Sequence, residues 1–296
     1  MKYSAYNLTI QSELPLPLPQ CQFSEHPDII ITVGETEEPE HLSRTYDGVW
    51  YAHGENSLFL KWDRIGSYLI REGKWIVISQ SHAPRTMSPV VPLLGTVMAI
   101  AMHQRGMTSL HGSSVLVDGA AIIFLGEKGE GKSTIAGYFQ KQGHSLLSDD
   151  VCAIDMQRQE SPTIYPSFSR IKLWPDAMHY LEYAPEQHER VHPEFEKRNI
   201  SLDAGFSFTP SPVAAIIVLT TGSDVSLEAL TGHQAIPFIL PHLIINRFPE
   251  NQPDKLARNI YYQLTNLIKH VPLYRLTRPR DISLLPIVAE LVGDIR

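Results

Sequence analysis

Cysteine is scarce in this 296-residue sequence. The two present, Cys21 and Cys152, show no CxxC spacing and no metal-type neighbours, which argues against a disulfide framework or a zinc cluster. Cys152 sits in an apolar run and reads as a buried thiol. Basic blocks are lacking as well. Lys and Arg number 25 against 32 Asp and Glu, for a net charge of −7, so nucleic acid is not an expected partner. Long apolar runs are also absent. The longest, VVPLLGTVMAIAM (Val90–Met102), contains Pro92 and falls short of the roughly 20 residues that span a bilayer. It reads as a buried helix, and no membrane is expected as a partner. The opening MKYSAYNLTIQSELPLPLPQ has no apolar core of signal-peptide type. With so few cysteines, a reducing, cytoplasmic setting is expected.

What remains is ordinary globular material, 43% hydrophobic and 19% charged. Residues 1–87 read as a β-rich recognition or packing domain. DIIITV, GVWYAH, SLFLKW, SYLIRE and WIVISQ are short β-branched or aromatic runs, separated by turn residues. LPLPLP near the start reads as an extended edge segment. Residues 88–296 read as a second domain that begins with a linker helix over 88–105. Ser88 is its cap, Pro89 lies in its first turn and Gly106 is its stop. Glu182–Ile200 is the most polar stretch, a surface excursion or a lid. VAAIIVL predicts a strand, and AIPFILPHLIINRF and LARNIYYQLTNLIKH predict helices. A strand, a turn and a helix close the chain.

The chemistry centres on Gly126–Ser133, G-E-K-G-E-G-K-S, a match to the phosphate-binding pattern GxxxxGK[ST]. A chance match in a chain of this length is on the order of one in a hundred. AAIIFL before it reads as a buried strand and STIAGYFQKQG after it as an amphipathic helix, which is the context the motif requires. Gly126, Glu127, Lys128, Gly129, Glu130, Gly131, Lys132, Ser133 and Thr134 are the expected nucleotide-binding residues. Their backbone N–H groups and the helix N-terminus turn onto phosphate oxygens. Lys132 reaches the β- and γ-phosphates of ATP, and the Ser133 hydroxyl binds Mg²⁺.

Upstream, Asp118-Gly119 between SSVLV and AAIIFL is a two-residue hairpin signal. Pairing Val117 with Ala120 and counting outward, without a bulge, brings His111 opposite Gly126, at the mouth of the loop. Downstream, SLLSDDVCAI places two adjacent carboxylates, Asp149 and Asp150, inside an apolar strand. Buried acids are costly without compensation. Mg²⁺ and a proton transfer supply a reason for both, and adjacent strand residues point to opposite faces, so the pair divides its labour. Candidates for transition-state charge are Arg170 and Lys172, which alternate to one face of a strand, and Lys197 and Arg198 in the polar excursion.

LHGSSVLVDG, GEKGEGKS and GHSLLSDDV together resemble the catalytic domain of HPr kinase/phosphorylase. SELPLPLP, LLGTVMAIAMHQRGMTSLHGSS, YPSFSRIKLWPD, EKRNISLD and YRLTRPRDISLLP resemble the HPr-kinase-like proteins encoded beside lasso-peptide and related peptide-maturation genes. The resemblance implies an α/β fold. Its catalytic domain is a mixed-sheet P-loop unit of the HPr kinase/PEP carboxykinase type, beside a smaller β-rich N-terminal domain. It implies Asp149 as the acid that activates an acceptor serine, Asp150 as the metal-side acid and His111 as the histidine supporting the pair. Lys132 and Ser133 become the phosphate and Mg²⁺ ligands. The acceptor it implies is a Ser or Thr hydroxyl on a peptide or small protein, such as a lasso-type precursor. It also implies a homo-oligomer, an assembly the N-terminal region need not share. The glycine-rich signature segment that HPr kinases carry after the Asp pair is not found, which puts the reverse reaction and HPr itself as substrate in doubt. The alternatives are an ATPase or nucleotide sensor without acceptor chemistry and an HPr-type kinase/phosphorylase.

Overall fold

A computed structural model describes residues 1–21, 26–81, 87–156, 161–202, 204–249 and 253–295. Three sheets organise them. The first is built from β1 (Lys2–Ala5), β2 (Leu8–Ser12), β3 (Ile29–Val33), β4 (Ser43–Arg44), β5 (Trp50–Gly54), β6 (Ser57–Trp62), β7 (Gly66–Arg71) and β8 (Trp75–Gln80), in the order β1-β2-β3-β8-β7-β6-β5-β4. The five runs read from the sequence are β3, β5, β6, β7 and β8. Alternation with period two explains them. In β7, for example, Gly66, Tyr68 and Ile70 are buried and Arg71 is exposed.

The second sheet contains β9 (Thr108–Val117), β10 (Ala120–Leu125), β11 (Ser145–Asp155), β12 (Thr163–Tyr165), β16 (Ser211–Thr221), β17 (Ser226–Leu230) and β18 (Leu273–Arg278). β9 and β10 form the Asp118-Gly119 hairpin, with Asp118 and Gly119 both at positive φ. Its register runs without a bulge from Val117–Ala120 to Ser113–Phe124. β10 also pairs in parallel with β16, so the pairings β10-β9-β11-β12-β16 form a closed circuit. The third sheet is small: β13 (Arg170–Leu173), β15 (Phe195–Ser201) and β14 (Arg190–His192), in the order β13-β15-β14. The architecture is thus mixed α/β with a β-rich N-terminal region, as expected.

The helices are α1 (Val90–Pro92), α2 (Met98–Gln104), α3 (Lys132–Lys141), α4 (Pro175–Tyr180), α5 (Ile236–Ile239), α6 (Pro253–His270) and α7 (Leu285–Gly293). Among the described residues, none is long and apolar enough to cross a membrane. Two expectations need correction. The single helix over 88–105 is broken. A wide turn over Leu93–Val97 separates α1 from α2, because Gly95 takes a non-helical conformation (φ −97°, ψ −105°), which glycine adopts at little cost. AIPFILPHLIINRF is a chain of short turns with only α5 helical, since Pro237 and Pro241 interrupt the backbone hydrogen bonding. The polar excursion contains β14 and β15, and β15 pairs along the whole of β13.

Two cores result. One joins the first sheet (Ile10, Tyr68, Ile76) to the α2 segment (Leu94, Met98, Ile100) and to one side of the second sheet (Leu110, Ile123, Val151). The other lies under α3, α4 and α7. Leu93, Leu94, Val97, Met98 and Met102 are fully enclosed, at roughly 1.5–3 kcal/mol for each large apolar side chain. Tyr6, in the β1–β2 turn, adds a seam. Its N–H donates to the Pro166 carbonyl (2.8 Å), and its ring meets Phe168 edge-on at 5.5 Å.

Candidate functional site

The loop between β10 and α3 is shaped by glycine. Gly126, Gly129 and Gly131 all have positive φ, which an L side chain resists. At Gly131 a Cβ would also stand 2.7 Å from the Arg278 guanidinium. α3 begins at Lys132 with no side-chain cap, so its first N–H groups are available to an anion. Lys132 folds back over the loop, and Nζ donates to the carbonyls of Gly126 (2.6 Å) and Glu127 (3.2 Å). Burial, then the Lys197 charge, lowers its pKa. A phosphate would both neutralise this ammonium and replace its loop partners.

β9 and β11 run antiparallel beside the loop, with Asp149 opposite Ser113, Asp150 opposite Gly112 and Val151 opposite His111. Asp149 is 3% exposed. Its Oδ1 accepts from Ser113 Oγ (2.6 Å) and Ser133 Oγ (2.8 Å), and its Oδ2 accepts from the Lys172 backbone N–H (2.9 Å). Asp150 has φ +89°, which kinks the strand at the site. Its carboxylate forms an ion pair with Lys172 and keeps some solvent contact. Burial alone would raise the Asp150 pKa, but Lys172, His111 and Lys197 outweigh it and hold the group ionised below the usual carboxylate range. His111 Nδ1 lies 3.0 Å from the Asp150 carbonyl. It must therefore carry the proton, which leaves Nε2 as the acceptor in a neutral ring. The ring keeps solvent contact, yet surrounding protein desolvates it and lowers its pKa.

The structure thus brings together His111, Lys132, Ser133, Asp149, Asp150 and Lys172, with the Lys197 charge acting on both Lys132 and Asp150. Arg170 is drawn aside over the Phe168 ring, 5.2 Å away. Arg198 is occupied within its own hairpin, by Glu196 and the His188 carbonyl. Among the remaining loop residues, Lys128 lies 5.5 Å over the Phe195 ring, linking the loop to the β14–β15 hairpin, and Thr134 lies in the first turn of α3.

Several contributors carried no sequence signal. Arg278 Nη2 donates to the Glu130 carbonyl (2.8 Å), and Arg280 Nη2 donates to the Glu130 carboxylate (2.6 Å). The carboxylate also accepts from Thr221 Oγ1 (3.0 Å). These residues, from the ends of β16 and β18, brace the loop from behind. Ser113 was indistinguishable from any strand serine. His242 lies in one of the short turns after α5. Leu243 pairs antiparallel with Leu110, so His242 neighbours His111. It is buried, and desolvation, then Lys132 and His111, pushes its pKa down to about 4. Cys152 is a sealed thiol, pushed up to about 12 by burial.

No protein-family model matches the chain. Two curated relatives from Clostridium botulinum strains, both HPr kinase/phosphorylase, are 33% identical over 90 residues. An HPr kinase/phosphorylase from Lactiplantibacillus plantarum is 33% identical over 85 residues. Over this stretch the chain is similar to HPr kinase/phosphorylase. The match takes in 30% of this chain and 27% of each Clostridium relative, and 25% and 26% for the Lactiplantibacillus protein. The chain therefore spans about a quarter of the length of the curated relatives it matches. Among solved structures, the Hpr(Ser) kinase/phosphatase from Coxiella burnetii aligns at 12% identity with a TM-score of 0.34, covering 63% of this chain and 94% of that one.

Proposed function

We propose that this protein is an ATP-dependent kinase that transfers the γ-phosphoryl group to a Ser or Thr hydroxyl of a peptide or small protein, a lasso-type peptide precursor being the specific case. The observation that carries the reading is the Ser133–Asp149 hydrogen bond at the start of the loop helix, with a second carboxylate, Asp150, immediately beside it. A second carboxylate there is placed to take the proton that an attacking hydroxyl loses as the O–P bond forms.

The residues fit Mg·ATP. Ser133 and Asp149 supply hard oxygen donors, the kind Mg²⁺ takes from one or two side chains together with substrate phosphates. When bound, the metal would supply charge neutralisation to the phosphate groups. Lys132 and the loop N–H groups hold the phosphates, and Arg278 and Arg280 keep the loop in shape. The contacts support a division of the acids opposite to the one the resemblance implies. Asp149, bonded to Ser133, sits on the metal side. Asp150, more open and ionised, receives the acceptor proton as the new O–P bond forms and the bond to the leaving ADP breaks. His111 steadies Asp150 through its backbone, and Lys172 and Lys197 supply positive charge. Residues 1–87 are read as the recognition unit and 88–296 as the catalytic unit.

The test is mass spectrometry of candidate peptides after incubation with protein, ATP and Mg²⁺. A serine-containing precursor should gain one phosphoryl group and its Ser→Ala version none. The names of the curated relatives favour HPr as a second acceptor. Phosphorylation of HPr alone would overturn the peptide assignment and leave the kinase chemistry in place.

A further inference from the structure

A cleft of about 1270 Å³ opens away from the nucleotide loop, between the first sheet, α2 and the turn segment after α5. Its geometry follows from a short ladder. β4 pairs with β5 only through Ser43–Tyr51 and Arg44–Trp50. Beyond these pairs the two chains part, and residues 39–42 and 52–57 become the lips of the cleft. Ile100 and His103 of α2 form its floor, and Ile245 and Pro249 close one end. That end is fastened. Tyr51 Oη donates to the Pro249 carbonyl (3.3 Å), His53 Nε2 bonds the Phe248 carbonyl (2.8 Å), and Arg247 pairs with Asp47.

The charge of the lining has one sign. Glu40, Glu55 and Glu72 contribute carboxylates, and no Lys or Arg among the described residues lines the cleft. His103 does not offset this, since burial and the neighbouring His53 lower its pKa. The position relative to the candidate site is also constrained. His242, beside His111, and Ile245, in the cleft wall, are three residues apart, so extended chain limits their separation to about 10 Å. α2 packs directly on β9, the strand that carries His111.

We infer that this cleft holds an extended, lysine- or arginine-bearing segment of the acceptor peptide, laid between the parted lips of β4 and β5. The inference rests on the peptide-acceptor reading above. A parted two-strand ladder suits an extended chain, which can bond to strand backbone and point alternate side chains at the two walls. Three carboxylates in the lining select basic side chains and disfavour acidic ones.

The probe is a fluorescein-labelled octapeptide of alternating Lys and Thr, followed by fluorescence anisotropy with the full-length protein. It should bind the parent, and an alternating Glu-Thr peptide should not. E40Q/E55Q/E72Q should weaken binding about tenfold, from three exposed charge pairs. D224N/E228Q/E290Q changes the net charge equally on exposed positions elsewhere and should leave binding unchanged. A Lys-Pro octapeptide, equal in charge but lacking alternate backbone N–H groups, should bind more weakly. Absence of binding, equal loss in the two triple variants, or equal binding of the Lys-Pro peptide overturns the inference. If the Lys-Thr peptide binds as described while no peptide is phosphorylated, the peptide-acceptor reading fails and the cleft stands as a site for extended basic peptide alone.

Discussion

Ser133 Oγ and Asp149 Oδ1 are joined by a 2.8 Å hydrogen bond between the first turn of the loop helix and a neighbouring strand. The bond joins the loop helix to Asp149 and separates the two adjacent acids by environment. Asp149 accepts three hydrogen bonds in a closed site, while Asp150 faces Lys172 and keeps solvent contact.

The two carboxylates should therefore fail differently. Asp149→Asn places an amide N–H₂ group among donors and should cost about 1–3 kcal/mol of stability, together with Mg²⁺-dependent nucleotide affinity. Asp150→Asn should retain Mg·ATP binding and lower transfer by about 10²–10⁴. Calorimetric titration of nucleotide beside single-turnover transfer separates them. The reverse pattern would restore Asp149 as the proton acceptor.

Lys132→Ala should abolish transfer and weaken ATP binding without unfolding the chain. Its Nζ partners are two loop carbonyls, which water can satisfy, so the change in unfolding free energy should stay within about 1–2 kcal/mol. Transfer at the parent rate would place the nucleotide elsewhere.

Arg278→Ala tests the brace behind the loop. Arg278 is 8% exposed and donates to the Glu130 carbonyl, so its loss should leave that carbonyl unpartnered at about 1–3 kcal/mol. ATP affinity should fall with it, while metal affinity at Ser133 and Asp149 changes less. Gly131→Ala should act at the same place, through positive φ and the 2.7 Å approach to Arg278. Unchanged nucleotide affinity in both variants would show that the brace is not needed.

Acid should destabilise the protein through His242. Its pKa falls from the usual value near 6.5 to about 4 on folding, so the unfolded chain binds more protons between these values. Stability then rises with pH across that window and is lost as pH falls through it, by on the order of 3 kcal/mol. His111 acts in the same direction, whereas protonation of Asp150 matters only at lower pH. Urea unfolding at pH 7 and pH 5 should show a smaller loss in His242→Gln than in the parent. An identical loss would remove His242 as a source.

The sequence by itself determined the local features. The Asp-Gly turn set the β9–β10 register, because a two-residue loop leaves one pairing that keeps the apolar faces aligned. The glycines of the loop marked backbone that only glycine occupies freely, and alternation marked the strands of the first sheet. Tertiary structure decided the rest. Arg278, Arg280, Ser113 and His242 meet the site only through strand pairing across long stretches of chain, and a lone arginine or serine reads locally as a solvated surface residue. The polar 182–200 stretch became paired strands because β13 offered an edge, and the helix over 88–105 broke where Gly95 let packing override propensity. Which carboxylate faces Ser133 was likewise decided by the β9–β11 pairing, whose register shifts between Leu146 and Ser148 just before the pair. Adjacent residues of an ideal strand would be told apart only by face, and a kink in the strand is invisible to periodicity.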